Sequence, residues 1–521
     1  MDQSRVLKVT QYDIEIWDWH TNKYVADISN IVTDGINMTW VLNDVETLDF
    51  DIDLIQFEKK CAEMGATPGE VLTPYVHDIR IRRNGEYILG CQVVETNIQI
   101  QNNANPKIQV KCTGFLNCFK DQYISEPMKG YTYPQMAHKL VNRAQHADVL
   151  IKNPTIDIDA SYWMSDNGAV AYITSTRKAG AGALQVTRSG TGWNTCGIEM
   201  KVPAGTQIKV DAWVSGQSGV AISFLERQLI TSSTGQVSIG SVTPSSNNTW
   251  THFTSSTYTT QYDNGYLYIQ QNRTNASYNL RVDNCFVYRV DDQDSLHDLK
   301  IGSIYSGLDD TTGGTGHNYA TSGFTSDREY AYELQNVKDA IMELTALEDD
   351  NFDFEFTYDR KFNTYDRKGT DKVDIEAVYP GNIHSMNIKR SAANLANKII
   401  NIGSGIGDER IEYTATDTTS RQNYGTRESV ITNNNVSIVE MLEAQAEGKL
   451  YDLKDPTDLP TVVIRDGSIN PGNVQVGDGI IVKVDNGDNY LNTINGLYRI
   501  MQMQVQTDLE NIETVTLTLE A

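Results

Sequence analysis

Hydrophobic and polar positions alternate with a period of two along the first part of the chain. Tyr12, Ile14 and Ile16 form one such set, Met38, Trp40 and Leu42 a second, and Leu48, Phe50, Ile52 and Leu54 a third. Successive side chains of a strand point to opposite faces, so each set predicts a strand with one buried face. Further strands are predicted over 76–82, 87–100 and 107–115, with Asn84-Gly85 supplying the positive φ of a tight hairpin turn. A helical period takes over at 134–147, where Pro134 suits the first turn and Ala137, Leu140, Val141 and Ala144 share a face. From Asn153-Pro154 to Val290 the chain becomes rich in Ser, Thr, Gly, Asn and Tyr and carries only short alternating strands. That stretch predicts one complete β-sandwich.

Beyond Asp291 the earlier pattern returns. Residues 309–324 are rich in Gly and Thr and predict a loop. A helix is predicted from Ser326, with Glu329 as its capping-box partner and Leu334, Val337, Ile341 and Leu344 as its buried stripe. Strands are predicted over 352–358 and 372–377. A second helix is predicted from Ser437, with Glu440 in the box and a Val436/Met441 staple. The end is β again, over 461–465, 479–484, 497–506 and 514–519. A self-contained sandwich between two stretches of α+β character reads as a guest inserted into one host, because insertions survive where the host's chain ends meet at a surface.

At 521 residues the chain is too long for one compact core. The formal net charge of −25 disfavours adhesion to phosphate backbones, so a nucleic-acid binder of the usual kind is excluded, although an acidic wall lets DNA slide past. Met1–Gln11 lacks a basic stretch followed by an apolar run, and no apolar segment is long enough for a membrane helix, so synthesis in a cytoplasm and no membrane span are expected. Cys61, Cys91, Cys112, Cys118, Cys196 and Cys285 form no metal-type spacing and are expected as free thiols, with contact between Cys196 and Cys285 left open.

The host segments resemble the hub, or tail-associated, proteins of long-tailed bacterial viruses. The resemblance runs through Trp40–Phe50, Val76–Ile81, Asn84-Gly85, Ile88–Val93, Asn397–Gly405, Tyr424–Glu428, Val476–Val482, Gly496–Ile500 and Val515–Leu519, in patterns of strand and turn. It implies a mainly β, multidomain protein with some helix. The first tail-tube-like β-barrel would span 1–120, and an α+β side domain 121–152 with 292–382. The second barrel would span 383–521, with a helical excursion at 436–452. It further implies a homotrimeric baseplate hub at the tail tip of the virion. Its partners would be the distal tail protein, the tape-measure protein and central fibre or tip proteins, and phage DNA would pass without specific binding. The guest, 153–291, resembles carbohydrate-binding modules of the jelly-roll type through Gly182–Val186, Val202–Val214, Asn248–Thr254, Tyr266–Gln271 and Leu280–Val287. It implies contact with a host cell-surface glycan.

Sugar recognition needs an aromatic platform for a C–H face and polar groups for hydroxyls. Trp193, Tyr172, Tyr268, Gln270 and Arg273 are the candidates, with Tyr268 and Gln270 on one face of a strand. Trp213 and Trp250 read as core. Asp157, Asp159 and Asp283, at the two ends of the guest, are candidate ligands for a structural calcium ion, which takes several oxygens. The plainer alternatives stand beside both sets: side chains that only pack the sandwich, and carboxylates that are simply solvated. No other cofactor is expected.

No catalytic constellation is visible. Gly403-Ser-Gly405-Ile-Gly407 has the wrong spacing and context for a dinucleotide loop. Glu348, Asp349, Asp350, Asp353 and Glu355 could suggest a glycosidase pair, but Asp353 and Glu355 alternate with Phe352, Phe354 and Phe356 as an outer strand face would. His297 and Asp298 have no nucleophile motif nearby. The expectation is a structural protein and not an enzyme. The alternatives are a polysaccharide-degrading hydrolase with an attached sugar module and a receptor-binding adhesin.

Overall fold

The computed structural model describes residues 10–102, 104–125, 127–145, 149–188, 190–231, 235–290, 301, 328–332, 334–346, 351–405, 410–433, 436, 439–484 and 495–520. They form a mainly β, multidomain protein with a few helices. The predicted loop at 309–324, Ser326, Ser437, His297, Asp298 and Glu348–Asp350 lie outside the described residues.

The two host halves meet in a single sheet of thirteen strands. Seven come from the first half, in the order Lys23–Asp27, Tyr12–Asp18, His77–Arg83, Glu86–Gln99, Lys107–Thr113, Thr47–Asp53 and Val32–Val41. The last of these pairs antiparallel with Gly496–Thr507, in register from Asn37 opposite Gln506 to Val41 opposite Gln502. Glu513–Glu520, Thr457–Ile464 and Ile383–Ser391 continue the path, while Gly479–Val484 joins Gly496–Thr507 and carries Asp371–Tyr379 in parallel. Strict alternation makes this sheet apolar on one face. In Thr47–Asp53 the buried side chains are Leu48, Phe50 and Ile52, and in Glu513–Glu520 they include Val515, Leu517 and Leu519. A sheet with one apolar face must cover that face, and here a single core contains residues of both halves.

The Asn84-Gly85 turn forms as predicted, with φ of 52° and 89°. Leu54 does not extend its strand. It starts a helix, Leu54–Glu63, whose N-cap Asp53 accepts from Gln56 N at 2.9 Å, and Phe57 and Cys61 enter the sheet's core. The segment assigned to the second barrel also divides differently. Lys398–Ile402, Glu412–Thr416 and Glu428–Thr432 form a separate three-stranded sheet, because Ile399 and Ala415 pack on the helix Val439–Leu453. Asp371–Tyr379, placed with the side domain, belongs to the large sheet.

A second core joins residues from both sides of the guest. The helix Tyr133–Arg143 begins at Thr132, whose hydroxyl accepts from Gln135 N while the Gln135 side-chain oxygen accepts from Thr132 N. It packs Met136, Ala137, Leu140 and Val141 against Val337, Ile341 and Leu344 of the helix Val337–Thr345, and against Phe352, Phe354, Phe356 and Phe362. The helix predicted from Ser326 starts later. Glu329 lies in the strand Arg328–Ala331, Asn336 caps the helix by accepting from Asp339 N at 3.1 Å, and Leu334, at φ 51°, is exposed. Val436 and Met441 both enter this core.

The guest is a two-sheet antiparallel sandwich. One sheet runs Ala169–Ile173, Ala183–Thr187, Leu280–Arg289, Gln207–Ser215 and Trp250–Thr254, with Tyr258–Thr259 beside Gln207–Ser215. The other runs Gly192–Glu199, Tyr266–Arg273, Ile222–Arg227 and Val237–Val242. Their facing side chains, including Val210, Val214, Phe224, Ile269, Val282 and the free thiols Cys196 and Cys285, make a third core. Val149 bridges Tyr288, so the guest's two ends lie side by side. Where the host chain resumes, the Gln145 side chain takes both polar groups of the Ile301 backbone: Oε1 accepts from Ile301 N at 2.6 Å and Nε2 donates to Ile301 O at 2.9 Å.

Candidate functional site

The strands Gly192–Glu199 and Tyr266–Arg273 pair in register, Trp193 opposite Asn272 and Glu199 opposite Tyr266. Leu267 and Ile269 point into the sandwich, which leaves Tyr266, Tyr268 and Gln270 on the outer face with Trp193, Thr195, Gly197 and Glu199. This is the face on which the sequence places Tyr268 and Gln270. Its middle is sealed. Tyr268 is 1% exposed: its hydroxyl donates to Asp166 Oδ1 at 2.5 Å, and the Arg227 guanidinium lies 3.3 Å over its ring. Asp166 also accepts from Thr195 Oγ1 at 2.5 Å and pairs with Arg227 at 3.1 Å. Burial opposes ionisation of Asp166, but the bonds from Thr195 and Tyr268 and the Arg227 charge outweigh it and hold its carboxyl below the usual range.

Two of the five predicted sugar contacts are therefore corrected to packing roles. Tyr268 cannot offer its ring to a ligand. Arg273, also 1% exposed, spends its guanidinium on Ala276 O, Tyr278 O, Asn279 Oδ1, Arg188 O and Gly190 O, and so ties two loops together. Tyr172 lies in the other sheet, where its hydroxyl donates to Asp157 O at 2.6 Å and its ring packs on the core. Trp193 is 42% exposed and Gln270 half-buried. The five do not converge. Trp213, read as core, lies on the outer face of the six-stranded sheet, stacked on His252 at 4.7 Å with Lys178 Nζ 3.9 Å from its ring.

The three aspartates do not make a calcium site. Asp157 is buried against Lys139 Nζ at 3.4 Å and accepts from Ala181 N at 3.0 Å. Asp283 accepts from Lys178 N, Ala179 N and Asn284 N, and burial pushes its carboxyl up to about 8. Asp159 is exposed and accepts from Ser161 N. N–H hydrogens and an ammonium stand where a cation would have to approach. Among the described residues no group of three or more His, Cys, Asp or Glu is placed to hold a metal.

The outer face stays open at the Glu199–Tyr266 end. A cleft of about 430 Å³ there is lined by Leu150, Ile198, Tyr162, Met164, Tyr266, Glu199, Lys152 and Lys201. These residues come from four separate stretches of chain, and no local motif marks them. The signal in the sequence was Tyr162 and Met164 flanking Trp163: Trp163 is buried in the sandwich core, and its two neighbours are exposed.

A second cavity, of about 260 Å³, lies at the seam of the host halves, with Trp40, Tyr87, Tyr358, Glu46, Glu355 and Lys368 in its wall. Tyr87 and Tyr358 stack at 4.4 Å, and a Cβ on Gly90 would fall 2.6 Å from Tyr358 O, so glycine lets the hairpin approach. Asp353 and Glu355 do not form an outer strand face. Asp353 binds Arg499, Lys368 N at 2.6 Å and Asn43 Nδ2 at 2.9 Å, because its hairpin is pressed between the two halves. Glu355 pairs with Lys368 at 2.6 Å and accepts from Tyr365 and Asn363, so its oxygens serve structure.

Burial pushes the Glu46 carboxyl up to about 7. A carboxyl raised in the folded state costs nothing below its unfolded value of about 4.3, and its cost is fully present above the folded value. The Glu46→Gln protein should melt with wild type near pH 4.5 and above it by pH 8. A melting difference that does not change with pH would contradict this.

No family model matches the chain, and no curated protein matches it. Among solved structures it is similar to a tail protein from Neisseria meningitidis, at 9% identity over 98% of this chain and 96% of that one, with a TM-score of 0.44. It is also similar to a 43 kDa tail protein of a Shewanella oneidensis prophage, at 8% identity over 98% and 97%, with a TM-score of 0.42. A xylan-binding domain from Paenibacillus barcinonensis aligns with 28% of this chain over 96% of its own length, at 16% identity and a TM-score of 0.23. Likenesses this distant carry no function across.

Proposed function

We propose that the chain is a structural protein of a bacterial virus tail, and that three copies close into a ring at the distal end of the tail tube. One observation carries this reading. The two host halves form one continuous sheet whose path begins on Lys23–Asp27 and ends on Ile383–Ser391, and among the described residues the outer edges of these two strands and of Asp371–Tyr379 are free. Free edges present unpaired backbone donors and acceptors. The two ends differ, so copies joining head to tail make a heterologous contact, which closes only as a ring. Each copy supplies two β-rich halves, so three copies present six such units around a tube of sixfold symmetry.

The ring links the tube and distal tail protein to tip or fibre proteins and forms part of the DNA exit channel. The net charge of −25 favours a wall that phosphates slide past. The guest sits outside this path as a module for contact with host-surface glycan. The role is structural and not catalytic.

The test is the stoichiometry of the purified full chain by native mass spectrometry, followed by a symmetric cryo-EM reconstruction. A trimer with a central opening and negative inner wall is expected. A monomer at micromolar concentration with no annular density in the particle would overturn the reading, and a basic lumen with ordered DNA phosphates would overturn the sliding-wall part of it.

A further inference from the structure

We propose that the cleft at the Glu199–Tyr266 end of the guest binds an acidic saccharide unit, a pyranose ring carrying a carboxylate or a phosphate. The inference rests on reading the guest as a glycan-contact module and does not depend on ring assembly.

The cleft is preformed. Met164 and Gly197 exchange backbone hydrogen bonds at 2.8 and 2.9 Å, Leu150 N donates to Val287 O at 2.7 Å, and Met200 N donates to Gly265 O at 2.8 Å. Each wall is thereby pinned to a strand of the sandwich, so a ligand need not order it. The apolar part of the lining is Leu150, Ile198, Met164 and two tyrosines. Tyr162 is 56% exposed and Met164 41%, while Tyr266 is half-buried. Neighbouring outer-face positions are spent on packing, as Tyr268 is by Asp166 and Arg227. Here the Tyr162 ring is exposed, with only the mobile head of the Lys152 side chain, 4.9 Å from its centre, over one face. An exposed tyrosine face suits the C–H side of a pyranose.

The polar part of the lining sets the charge of the ligand. Lys152 and Lys201 both line the cleft, and neither is in an ion pair among the described residues. Lys152 Nζ lies 4.9 Å from the centre of the Tyr162 ring, which places a cation beside the stacking platform. In a chain with 68 acidic and 43 basic residues, two unpaired lysines flanking an aromatic cleft make a local cationic spot. Glu199 is the one carboxylate in the lining, and it can accept from sugar hydroxyls. A neutral sugar would use the rings and Glu199 but leave both ammonium groups without a counter-charge. A saccharide with one anionic substituent uses all of them.

The test is calorimetric titration of the full chain with tetragalacturonate, with mannose 6-phosphate and with neutral cellotetraose. At least one acidic probe should bind about tenfold or more tighter than cellotetraose and weaken with added salt. A carboxylate source is indicated if tetragalacturonate wins, and a phosphate source if mannose 6-phosphate does. Lys152→Ala with Lys201→Ala should abolish the preference for the acidic probe, and Tyr162→Ala should weaken binding of every probe by about tenfold or more. All three side chains are exposed, so the variants should keep the wild-type melting curve. The proposal falls if neither acidic probe binds, or if the double lysine variant binds the acidic probe as wild type does. Mass measurement on the same samples separates the two readings: a trimer that binds no acidic probe overturns the cleft alone, and a monomer that binds one overturns the ring alone.

Discussion

Replacing Arg360 with methionine should destabilise the host by about 3–5 kcal/mol, the range for breaking a buried ion pair from one side. Arg360 is 2% exposed, and its guanidinium reaches Asp78 Oδ1 at 2.5 Å and Trp19 O at 2.6 Å while lying 4.1 Å from the Trp19 ring. It therefore bolts the turn after Asp353–Phe356 onto the first half of the large sheet. Burial pulls its guanidinium down from the usual value and the Asp78 charge pushes the other way. Asp78 is fully buried and, among the described residues, would keep only Arg80 Nε, at 3.3 Å, as an ionic partner. The urea midpoint read by tryptophan fluorescence should fall. Adding Asp78→Asn to the variant should cost less than the two single changes summed, because the carboxylate then no longer needs a cation. A loss below about 1 kcal/mol would show that water or Arg80 already serves Asp78.

The second large effect is expected at the host–guest junction. Lys139 of the host helix and Asp157 of the guest are both almost wholly buried and lie 3.4 Å apart, with Lys139 Nζ 4.2 Å from the Tyr131 ring. Arg143 of the same helix stands 4.1 Å over Phe286 of the guest, and a Cβ on Gly130 would fall 2.9 Å from Ala181 N. This is a packed joint and not a tether. Lys139→Met leaves Asp157 charged and enclosed, which should cost about 3 kcal/mol or more at the joint. The guest's own core does not use Lys139, so the sandwich should stay folded. Limited trypsin digestion should then release a stable guest fragment that wild type does not yield. If the variant and wild type digest alike, the joint is held by packing and not by the ion pair.

Strand alternation made most of the large sheet legible. Leu48, Phe50 and Ile52 point inward as read, and Asn84-Gly85 turns as read. What alternation does not specify is the partner strand. The pairing of Val32–Val41 with Gly496–Thr507 joins residues more than four hundred positions apart, and nothing local encodes it. Nor does alternation say whether an outward face stays bare. Tyr268 points outward as read, and the stretch that carries Asp166 then covers it. Asp353 and Glu355 failed for the same reason, since the face read as outer is the one the two halves enclose. Leu54 and Leu334 show the reverse error. Each continued an apolar pattern, but a cap at Asp53 turns the chain into a helix at Leu54, and the left-handed backbone of Leu334 keeps it out of the helix that starts at Val337.

The Gln145–Ile301 clamp and the Val149–Tyr288 bridge have a consequence for how such a protein changes over time. Both ends of the sandwich leave the host at one spot, and the host meets the rest of it through the small joint at Lys139, Arg143 and Gly130. A different cassette whose ends meet at a similar spacing, and which offers Lys139 a carboxylate, could replace this one without altering the sheet or its edges. Variation in what the guest touches can then proceed separately from the sheet that carries it.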